Sequence, residues 1–256
     1  MSALVSVITA AYNCEKTIRE TIDSVLNQTF TNWEMLIVDD CSTDNTISIV
    51  EEYVEKDNRI KLIHLEKNSG SATARNVAIN RSSGRYIALL DSDDLWKPEK
   101  LELQLKFMKS NNYCFTFTAY DVFKDSKDVR RKIFAVPQRI NYKQFLKNSV
   151  IGCLTVVVDK ERIQDFHMES GYLEDTLTWM HYLQKGIIAY GLNKNLASYR
   201  ITKGSKSSNK IENAGRYYQC LKKQKGIGTI SRIYYFMCYA YHAVKKRLFS
   251  KITTEI

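Results

Sequence analysis

The sequence predicts an α/β protein built on a mostly parallel sheet, because strand-like and helix-like segments alternate over the first ninety residues. The strand-like segments are short and contain Val and Ile, whereas the segments between them repeat apolar residues at helical spacing. Crossover helices of about ten to fifteen residues connect parallel strands with a right-handed turn. The composition agrees, since 44% apolar and 26% charged residues in a chain of 256 can bury a core.

The predicted elements alternate strictly up to residue 90. Strands are predicted at residues 4–9, 33–38, 60–64 and 86–90, and helices at 17–28, 43–56 and 71–80. After residue 90 the alternation ends. Helices are predicted at residues 97–108 and 175–184, short apolar strands at 114–119 and 154–158, a Ser/Lys-rich loop at 200–210, and a final segment with one apolar face from Ile233 to Leu248.

Positive charge is concentrated at the C-terminal end. Twelve of the 38 Lys and Arg residues follow residue 202, but only two of the 28 acidic residues do. The body of the chain is therefore neutral, and attraction to an anionic surface is expected of the C-terminal extension alone. No apolar run is long enough to span a membrane and no signal peptide is recognisable, so we expect a cytoplasmic protein.

Several common site types lack their sequence signatures. The six Cys contain no C-x-x-C pair and the four His no pair at i, i+4, which disfavours a disulfide framework, a zinc site and a histidine metal site. The glycine motif of dinucleotide-binding enzymes and the Walker lysine motif are both missing.

Each of the first four predicted strands ends in a polar cluster. Because parallel strands meet at their carboxyl ends, such clusters are expected to line one crevice. The clusters are Tyr12-Asn13, Asp39 to Thr43, Asn68 to Gly70 leading to Arg75, and Asp91 to Asp94. Any one of them could be an ordinary helix cap, since Asp, Ser and Thr are common at that position. Four clusters in register favour a ligand site.

The last cluster, Asp91-Ser92-Asp93-Asp94, has the chemistry of a divalent cation site. Carboxylates crowded on one turn repel each other unless a cation neutralises them. Mg²⁺ and Mn²⁺ prefer oxygen ligands, commonly one or two carboxylates together with substrate phosphates. The alternative is an Asp-rich turn that only caps the next helix.

Five blocks together resemble a family 2 glycosyltransferase of the GT-A fold, over about residues 5 to 200. They are VSVITAAYN (5–13), SVLNQTFTNWEMLIVDDCSTDNT (24–46), NSGSATARNVAI (68–79), GRYIALLDSDDLW (84–96) and GYLEDTLTW (171–179). The resemblance implies an inverting enzyme that moves a sugar from a nucleotide-sugar, usually a UDP-sugar, to an acceptor hydroxyl with Mn²⁺ or Mg²⁺. It also implies a catalytic domain at residues 1–202, with a nucleotide-sugar half at about 1–96 and an acceptor half at about 97–202, followed by the extension at 203–256.

The resemblance also assigns roles to individual residues. At the nucleotide it implies Tyr12 against the uracil, Asp40 accepting the uracil imide hydrogen bond, Arg75 near the diphosphate or base, and Asp91 in the ribose or metal region, with Ala10 and Ser92 in the same binding set. Asp93 would ligate the metal with Asp91. Asp175 matches the catalytic base, and Glu174 is the second choice. We expect a helix N-terminus to favour the ionised form of Asp175.

This sequence departs from the family pattern at two structural positions. Ala10 stands where the family often has proline, and Cys41 where it often has glycine. Both bear on the shape of a loop rather than on the chemistry.

The predicted function is transfer of one hexose or N-acetylhexosamine from a nucleotide-sugar to a saccharide or lipid-linked acceptor in bacterial surface polysaccharide synthesis. Single-sugar addition is favoured because the Q-x-x-R-W motif and spanning helices of processive relatives are missing. Two alternatives are a nucleotidyltransferase on a related fold and a non-catalytic protein that binds membranes or nucleic acid.

The basic, Tyr-rich extension is expected either to lie on the anionic inner face of the cell membrane or to pack its apolar stripe on the core. Nucleic acid is not an expected partner, because no nucleic-acid motif is present.

Overall fold

The computed structural model describes residues 4–124, 130–201, 210–249 and 252–254. The helices are α1 (Ile18–Leu26), α2 (Thr46–Val54), α3 (Ser71–Arg81), α4 (Lys100–Asn111), α5 (Tyr142–Lys147), α6 (Glu174–Gln184), α7 (Lys210–Lys223) and α8 (Thr229–Phe249), with a 3₁₀ turn at Cys153–Thr155. The strands are β1 (Val5–Ala11), β2 (Trp33–Asp39), β3 (Ile60–His64), β4 (Tyr86–Leu89), β5 (Leu95–Trp96), β6 (Phe115–Phe123), β7 (Arg130–Phe134), β8 (Arg139–Ile140), β9 (Val157–Asp159), β10 (Ala189–Arg200) and β11 (Ile252–Thr254).

One sheet runs through the molecule, in the order β11-β7-β6-β9-β4-β1-β2-β3, and β10 pairs with β6, β5 and β8. The four strands β3, β2, β1 and β4 are parallel to one another, as the alternating pattern predicts. Among the later strands that the structure describes, only β10 and β6 pair in parallel, and the pairings of β9, β7, β5, β8 and β11 are antiparallel. The prediction of an α/β fold is confirmed, and the sheet beyond β4 is mixed.

Alternate residues of each central strand enter two hydrophobic cores, one on each face of the sheet. In β2, for example, Met35 and Ile37 join the core under α1, α2 and α4, whereas Leu36 and Val38 join the core under α3, α5, α6 and α7. Because a strand that is covered on both faces is buried at every position, its sequence is a continuous apolar run. The two cores hold the carboxyl ends of β1, β2 and β4 at one edge.

Element boundaries differ from the sequence prediction at a few places. The helix predicted from residue 97 begins at Lys100, after Pro98, and the strand predicted at 154–158 is divided between the 3₁₀ turn and β9. The predicted loop at 200–210 overlaps the end of β10 and the start of α7, and its residues 202–209 lie outside the described residues.

The sequence pattern did not predict strand β10 or helix α7. In β10, the polar run Asn193 to Asn195 interrupts the apolar alternation, and the register against β6 shifts there. Helix α7 is rich in Lys, Arg and polar residues, so its core face is narrow, although Tyr217, Cys220 and Leu221 are fully buried in it.

The last helix, α8, buries one apolar face and exposes another. Tyr235, Phe236 and Tyr239 pack against the core, which matches the packing alternative for the extension. The opposite face carries large exposed side chains, which are Ile230, Ile233, Tyr234, Met237, Tyr241 and Val244. Over the described residues, no helix combines the length and the hydropathy needed to cross a bilayer.

Candidate active site

A cleft of about 1030 Å³ lies at the carboxyl ends of β1, β2 and β4. It is lined by every residue that the sequence predicted for the site, namely Ala10, Tyr12, Asp40, Arg75, Asp91, Ser92, Asp93, Glu174 and Asp175. The ends of the parallel strands bring six of these residues together, α3 supplies Arg75, and the start of α6 adds Glu174 and Asp175.

The acidic turn after β4 is held by its backbone carbonyls. The Thr17 hydroxyl donates to the Ser92 carbonyl at 2.9 Å and the Thr21 hydroxyl to that of Asp94 at 3.0 Å. The Arg200 Nε donates to the Asp93 carbonyl at 2.7 Å. Because these three hydrogen bonds are made to main-chain oxygens, they hold the turn without engaging the Asp93 carboxylate.

The three carboxylates of this turn have three different surroundings. Asp91 forms an ion pair with Arg75. Asp94 is fully buried and accepts the backbone N–H of Arg200 at 2.8 Å, so it anchors the end of β10. Asp93 is half-buried and its carboxylate accepts no hydrogen bond from another described residue. Burial, reinforced by the charge of Asp91, raises the pKa of Asp93 to about 6.

The first turn of α6 likewise has one carboxylate paired with Arg75 and a neighbour that is not. Glu174 accepts hydrogen bonds from the Ser71 hydroxyl and from the Arg75 guanidinium, the latter at 3.0 Å. The side chain of its neighbour Asp175 accepts only the adjacent Thr176 N–H, at 2.6 Å, among the described residues. Of the two candidate bases, Asp175 is therefore the one whose carboxylate accepts no hydrogen bond from a guanidinium or a hydroxyl among the described residues.

Burial raises the pKa of Asp175 to about 6, and the charges of Asp91 and Glu174 add to the effect. The expectation that the helix N-terminus favours the ionised form of Asp175 is wrong in its net direction. Desolvation outweighs the local N–H donors, because removing a carboxylate from water favours its neutral form.

Arg75 connects the two acidic turns. Its side chain is 8% exposed, and its guanidinium donates to Asp91 with one terminal nitrogen and to Glu174 with the other. Its Nε has no partner among the described residues. In this structure Arg75 therefore fixes two carboxylates at one wall of the cleft.

The opposite end of the cleft is formed by the ends of β1 and β2. Tyr12 is half exposed, so its ring is open to a ligand. Asp40 is almost fully buried, and its two carboxylate oxygens accept the N–H groups of Ser69 and Gly70 at 2.7 and 2.8 Å. Each oxygen keeps further acceptor capacity, so a ligand N–H can still be accepted.

The neighbouring polar residues mostly hold the loops together. The Asn13 side chain accepts the Thr43 N–H at 2.8 Å, and the Asp44 carboxylate accepts the Thr46 N–H at 2.9 Å and the Glu15 N–H at 3.1 Å. Cys41 has φ 68°, a left-handed conformation that explains why glycine suits this position.

The acidic turn has the chemistry of a divalent cation site. Asp91 and Asp93 supply carboxylate oxygens on the cleft wall, and Asp93 has no counter-charge within hydrogen-bonding distance among the described residues. Within that same part of the chain, no group of three or more His, Cys, Asp or Glu side chains forms a complete metal cage. Two carboxylates fit a cation that completes its shell with water and substrate phosphate.

Sequence reasoning missed several residues of the site. Arg200 holds the acidic turn, and Tyr120, Cys153 and Asn213 line the cleft. They come from β6, β10, the 3₁₀ turn and α7, outside the strand-end pattern. The charge of Arg200 at the end of an apolar strand is the one signal that pointed to a buried partner.

Comparison with known proteins identifies the family. Residues 6–159 match the sequence model of "Glycosyl transferase family 2". TuaG of Bacillus subtilis (strain 168), named as a teichuronic acid biosynthesis glycosyltransferase, is 44% identical over 96% of this chain and 98% of its own length. WfgD of Escherichia coli is 40% identical over 96% of both chains and is named as a UDP-Glc:alpha-D-GlcNAc-diphosphoundecaprenol beta-1,3-glucosyltransferase.

Two solved structures share the fold at lower sequence identity. TarS 1–349 of S. aureus, in complex with UDP-GlcNAc, superposes with a TM-score of 0.68 at 23% identity, covering 92% of this chain and 70% of that one. The mannosyltransferase PcManGT of Pyrobaculum calidifontis, in complex with GDP-Man and Mn²⁺, gives a TM-score of 0.70 at 19% identity, covering 96% and 71%. Both are glycosyltransferases of the GT-A fold.

Proposed function

The chain belongs to glycosyl transferase family 2, and from this premise we propose that it transfers one sugar, with inversion and with a divalent cation, from a UDP-sugar to a lipid-linked saccharide of a bacterial surface polysaccharide. One observation carries the proposal. The cleft contains two carboxylates, Asp93 and Asp175, that form no salt bridge among the described residues, whereas their neighbours Asp91 and Glu174 are both paired with Arg75.

Asp175 is the proposed base. Its ionised carboxylate accepts the proton of the acceptor hydroxyl as the hydroxyl oxygen forms a bond to the anomeric carbon. The bond from that carbon to the diphosphate oxygen breaks on the opposite side, and its electron pair leaves with UDP. One displacement inverts the anomeric configuration and needs no covalent enzyme intermediate. Glu174 suits the role less well, because Arg75 and Ser71 already bind its carboxylate.

Asp93 and Asp91 are the proposed holders of Mn²⁺ or Mg²⁺. When bound, such a cation neutralises negative charge on the leaving diphosphate. The protein's own contribution is the fixed acidic turn, whose carbonyls are held by Thr17, Thr21 and Arg200. A site that is already in place requires little reorganisation when the donor binds.

The nucleotide is proposed to lie at the β1 and β2 end of the cleft. The exposed ring of Tyr12 suits stacking on uracil, and Asp40 faces the same end with acceptor capacity to spare. Ala10 and Ser92 complete the lining. Arg75 is proposed to act near the diphosphate mainly by positioning Asp91 and Glu174.

The relatives support the substrate classes. WfgD and WfaP of Escherichia coli are both named for UDP-Glc as donor and for a diphosphoundecaprenol-linked GlcNAc as acceptor. TarS binds UDP-GlcNAc and UDP. We therefore propose a UDP-hexose or UDP-N-acetylhexosamine donor and non-processive addition of one residue.

A thermal-shift screen tests the donor part of this proposal. The melting temperature of the full chain is measured with UDP-Glc, UDP-Gal, UDP-GlcNAc, UDP-GalNAc and GDP-Man, each with and without Mn²⁺. Ligands that bind only the native state raise the apparent stability, so we expect an Mn²⁺-dependent rise with at least one UDP-sugar. A response to GDP-Man alone, or to no nucleotide-sugar, would contradict the donor class.

The exposed face of α8 is proposed to lie on an anionic membrane surface. Its apolar stripe extends from Ile230 to Val244 along one side of the helix. Basic side chains border it, with the Lys147 ammonium 5.3 Å from the Tyr234 ring and Lys245 exposed at its C-terminal end. An apolar stripe bordered by Lys and Arg matches the interface between acyl chains and anionic headgroups. This would place the cleft beside a lipid-linked acceptor at the inner face of the cell membrane.

Vesicle flotation tests the membrane proposal. Deleting α8 would also remove Tyr239 from the core, so the sharper variant is Ile233→Ser/Met237→Ser, which changes only exposed positions. We expect it to lose binding to phosphatidylglycerol-containing vesicles while keeping the wild-type melting temperature. Unchanged flotation, or equal binding to neutral phosphatidylcholine vesicles, would contradict the proposal.

A further inference from the structure

A second, smaller cavity of about 280 Å³ adjoins the main cleft at Asp175. Both cavities share five lining residues, which are Tyr120, Gly152, Leu173, Asp175 and Asn213. The smaller one continues between residues 149–152, the start of α6 and the helices α7 and α8. A group bound there lies against the carboxylate that the proposed function treats as the base.

Three polar side chains of the smaller cavity have no hydrogen-bond partner among the described residues. They are the Ser149 hydroxyl, the Asn213 amide and the Tyr239 hydroxyl, and all three side chains are half-buried. Because these polar atoms are not fully buried, they can bond to water or to a ligand that enters the cavity. Two hydroxyls and one amide can together donate to and accept from a ligand.

The wall of the cavity is aromatic and rigid. The rings of Tyr217 and Tyr239 stack with centroids 3.8 Å apart. Tyr217 is fully buried, and its hydroxyl donates to the Leu146 carbonyl at 3.0 Å. The stacking contact and this hydrogen bond together hold its ring in place. An apolar wall with a few polar groups suits a ligand that has apolar C–H faces and hydroxyl edges.

The charge and the size of the cavity restrict the class of ligand that suits it. Among the described residues that line it, Asp175 is the only charged one, and no Lys or Arg is present. A phosphate or nucleotide would lack a counter-charge there, which favours a neutral ligand. The volume equals the liquid-phase share of roughly nine water molecules, which suits a single sugar ring.

We propose that this cavity holds the terminal hexose or N-acetylhexosamine of the acceptor, and that Asn213 and Tyr239 of the C-terminal helices bind it together with Ser149. The inference rests on the proposed function, because it takes Asp175 as the group that receives the proton of the acceptor hydroxyl. It gives α7 and α8 a part in acceptor specificity, although both helices lie beyond residues 6–159 that match the family.

Steady-state kinetics of Tyr239→Phe and Ser149→Ala test this inference. Each variant removes one hydroxyl, and Tyr239→Phe keeps the ring that stacks on Tyr217. Gln219→Ala is the matched control, because Gln219 is an exposed amide on α7 that lines neither cavity. The donor is the UDP-sugar with the largest thermal shift, and the acceptors are undecyl diphosphates carrying α-GlcNAc, α-GalNAc or α-Glc.

We expect each hydroxyl deletion to raise the KM for the acceptor about five- to tenfold, the usual effect of one hydrogen bond. The KM for the UDP-sugar and the rate of its hydrolysis without acceptor should stay at wild-type values, as should both for Gln219→Ala. Unchanged acceptor KM in both variants would overturn the inference while leaving the proposed function intact. So would a wild-type chain that hydrolyses the donor but glycosylates none of the three acceptors. A chain that neither binds nor hydrolyses any UDP-sugar would instead refute the proposed function.

Discussion

The acidic turn after β4 and the first turn of α6 have the same arrangement of carboxylates around Arg75. In each turn one carboxylate, Asp91 or Glu174, is paired with Arg75. Its neighbour in the cleft, Asp93 or Asp175, forms no salt bridge among the described residues, and its pKa is raised to about 6.

The two members of each pair are held differently. A carboxylate bonded to a buried guanidinium is fixed in place, although its other oxygen can still accept a ligand. A buried carboxylate that forms no ion pair is destabilised by desolvation, and a metal ion or a proton relieves that cost. The comparison therefore predicts unlike consequences for removing charge from the two members of each pair.

The largest expected effect is at α6. Asp175→Asn should lower transfer about 10²- to 10⁴-fold, because it removes the proposed general base. Donor binding, measured as the thermal shift with UDP-sugar and Mn²⁺, should be retained. Glu174→Gln is the matched comparison and should lose much less activity. Equal losses of transfer activity in the two variants would contradict the distinction between paired and unpaired carboxylates.

The second effect concerns the metal. Asp93→Asn should weaken apparent Mn²⁺ affinity at least about tenfold, measured by Mn²⁺ titration of donor hydrolysis. Asp23→Asn is a suitable control, because Asp23 is exposed on α1 and hydrogen-bonded to Tyr53 outside the cleft. If Asp93→Asn keeps wild-type Mn²⁺ dependence, Asp93 does not ligate the metal.

The third effect is on pH dependence. Asp175 acts as a base only in its ionised form, so transfer should fall as the pH drops through about 6. The loss should be about tenfold per pH unit below the pKa of Asp175. Saturating Mn²⁺ keeps the proposed metal ligand Asp93 ionised, so kcat/KM measured from pH 4.5 to 8 under that condition reports on Asp175. A profile that stays flat down to pH 5 would contradict the raised pKa of Asp175.

The smallest expected effect is on the free energy of unfolding. Removing the charge of Asp175 and removing the charge of Glu174 should change it in opposite directions. Because the pKa values of Asp93 and Asp175 are raised to about 6 from an ordinary 3.8, the native state binds more protons than the unfolded state between these values. Stability therefore falls as the pH rises from about 4 to about 6, and the cost persists at pH 7.5.

Asp175→Asn should thus raise the melting temperature at pH 7.5 by about 2–4 °C, corresponding to about 1 kcal/mol for a half-buried group. Glu174→Gln should lower it, because Arg75 loses one of its two partners. Calorimetry at pH 4 and pH 7.5 checks both signs, and the gain in Asp175→Asn should vanish at pH 4.

The sequence predicted that the strand-end residues meet at one edge of the sheet, for a geometric reason. Parallel strands place their carboxyl ends together, so Tyr12, Asp40 and Asp91 could be brought to one edge from the strand pattern alone. The roles given to these residues came from the family resemblance and stay predictions.

The rest of the site depends on contacts between distant parts of the chain. Arg200 holds the carbonyl of Asp93 from 107 positions away, and Glu174 meets Arg75 across 99 positions. No local periodicity encodes such pairs. The raised pKa of Asp175 depends likewise on burial by the folded chain, which the helix pattern around it does not reveal.

A crystal structure of the full chain with UDP-glucose and Mn²⁺, with the metal located by its anomalous scattering, tests the central claim most directly. We expect Mn²⁺ bound to the Asp93 carboxylate and to the diphosphate, with the anomeric carbon on the side of the cleft that carries Asp175. Manganese at another position, or a sugar that points away from Asp175, would contradict it.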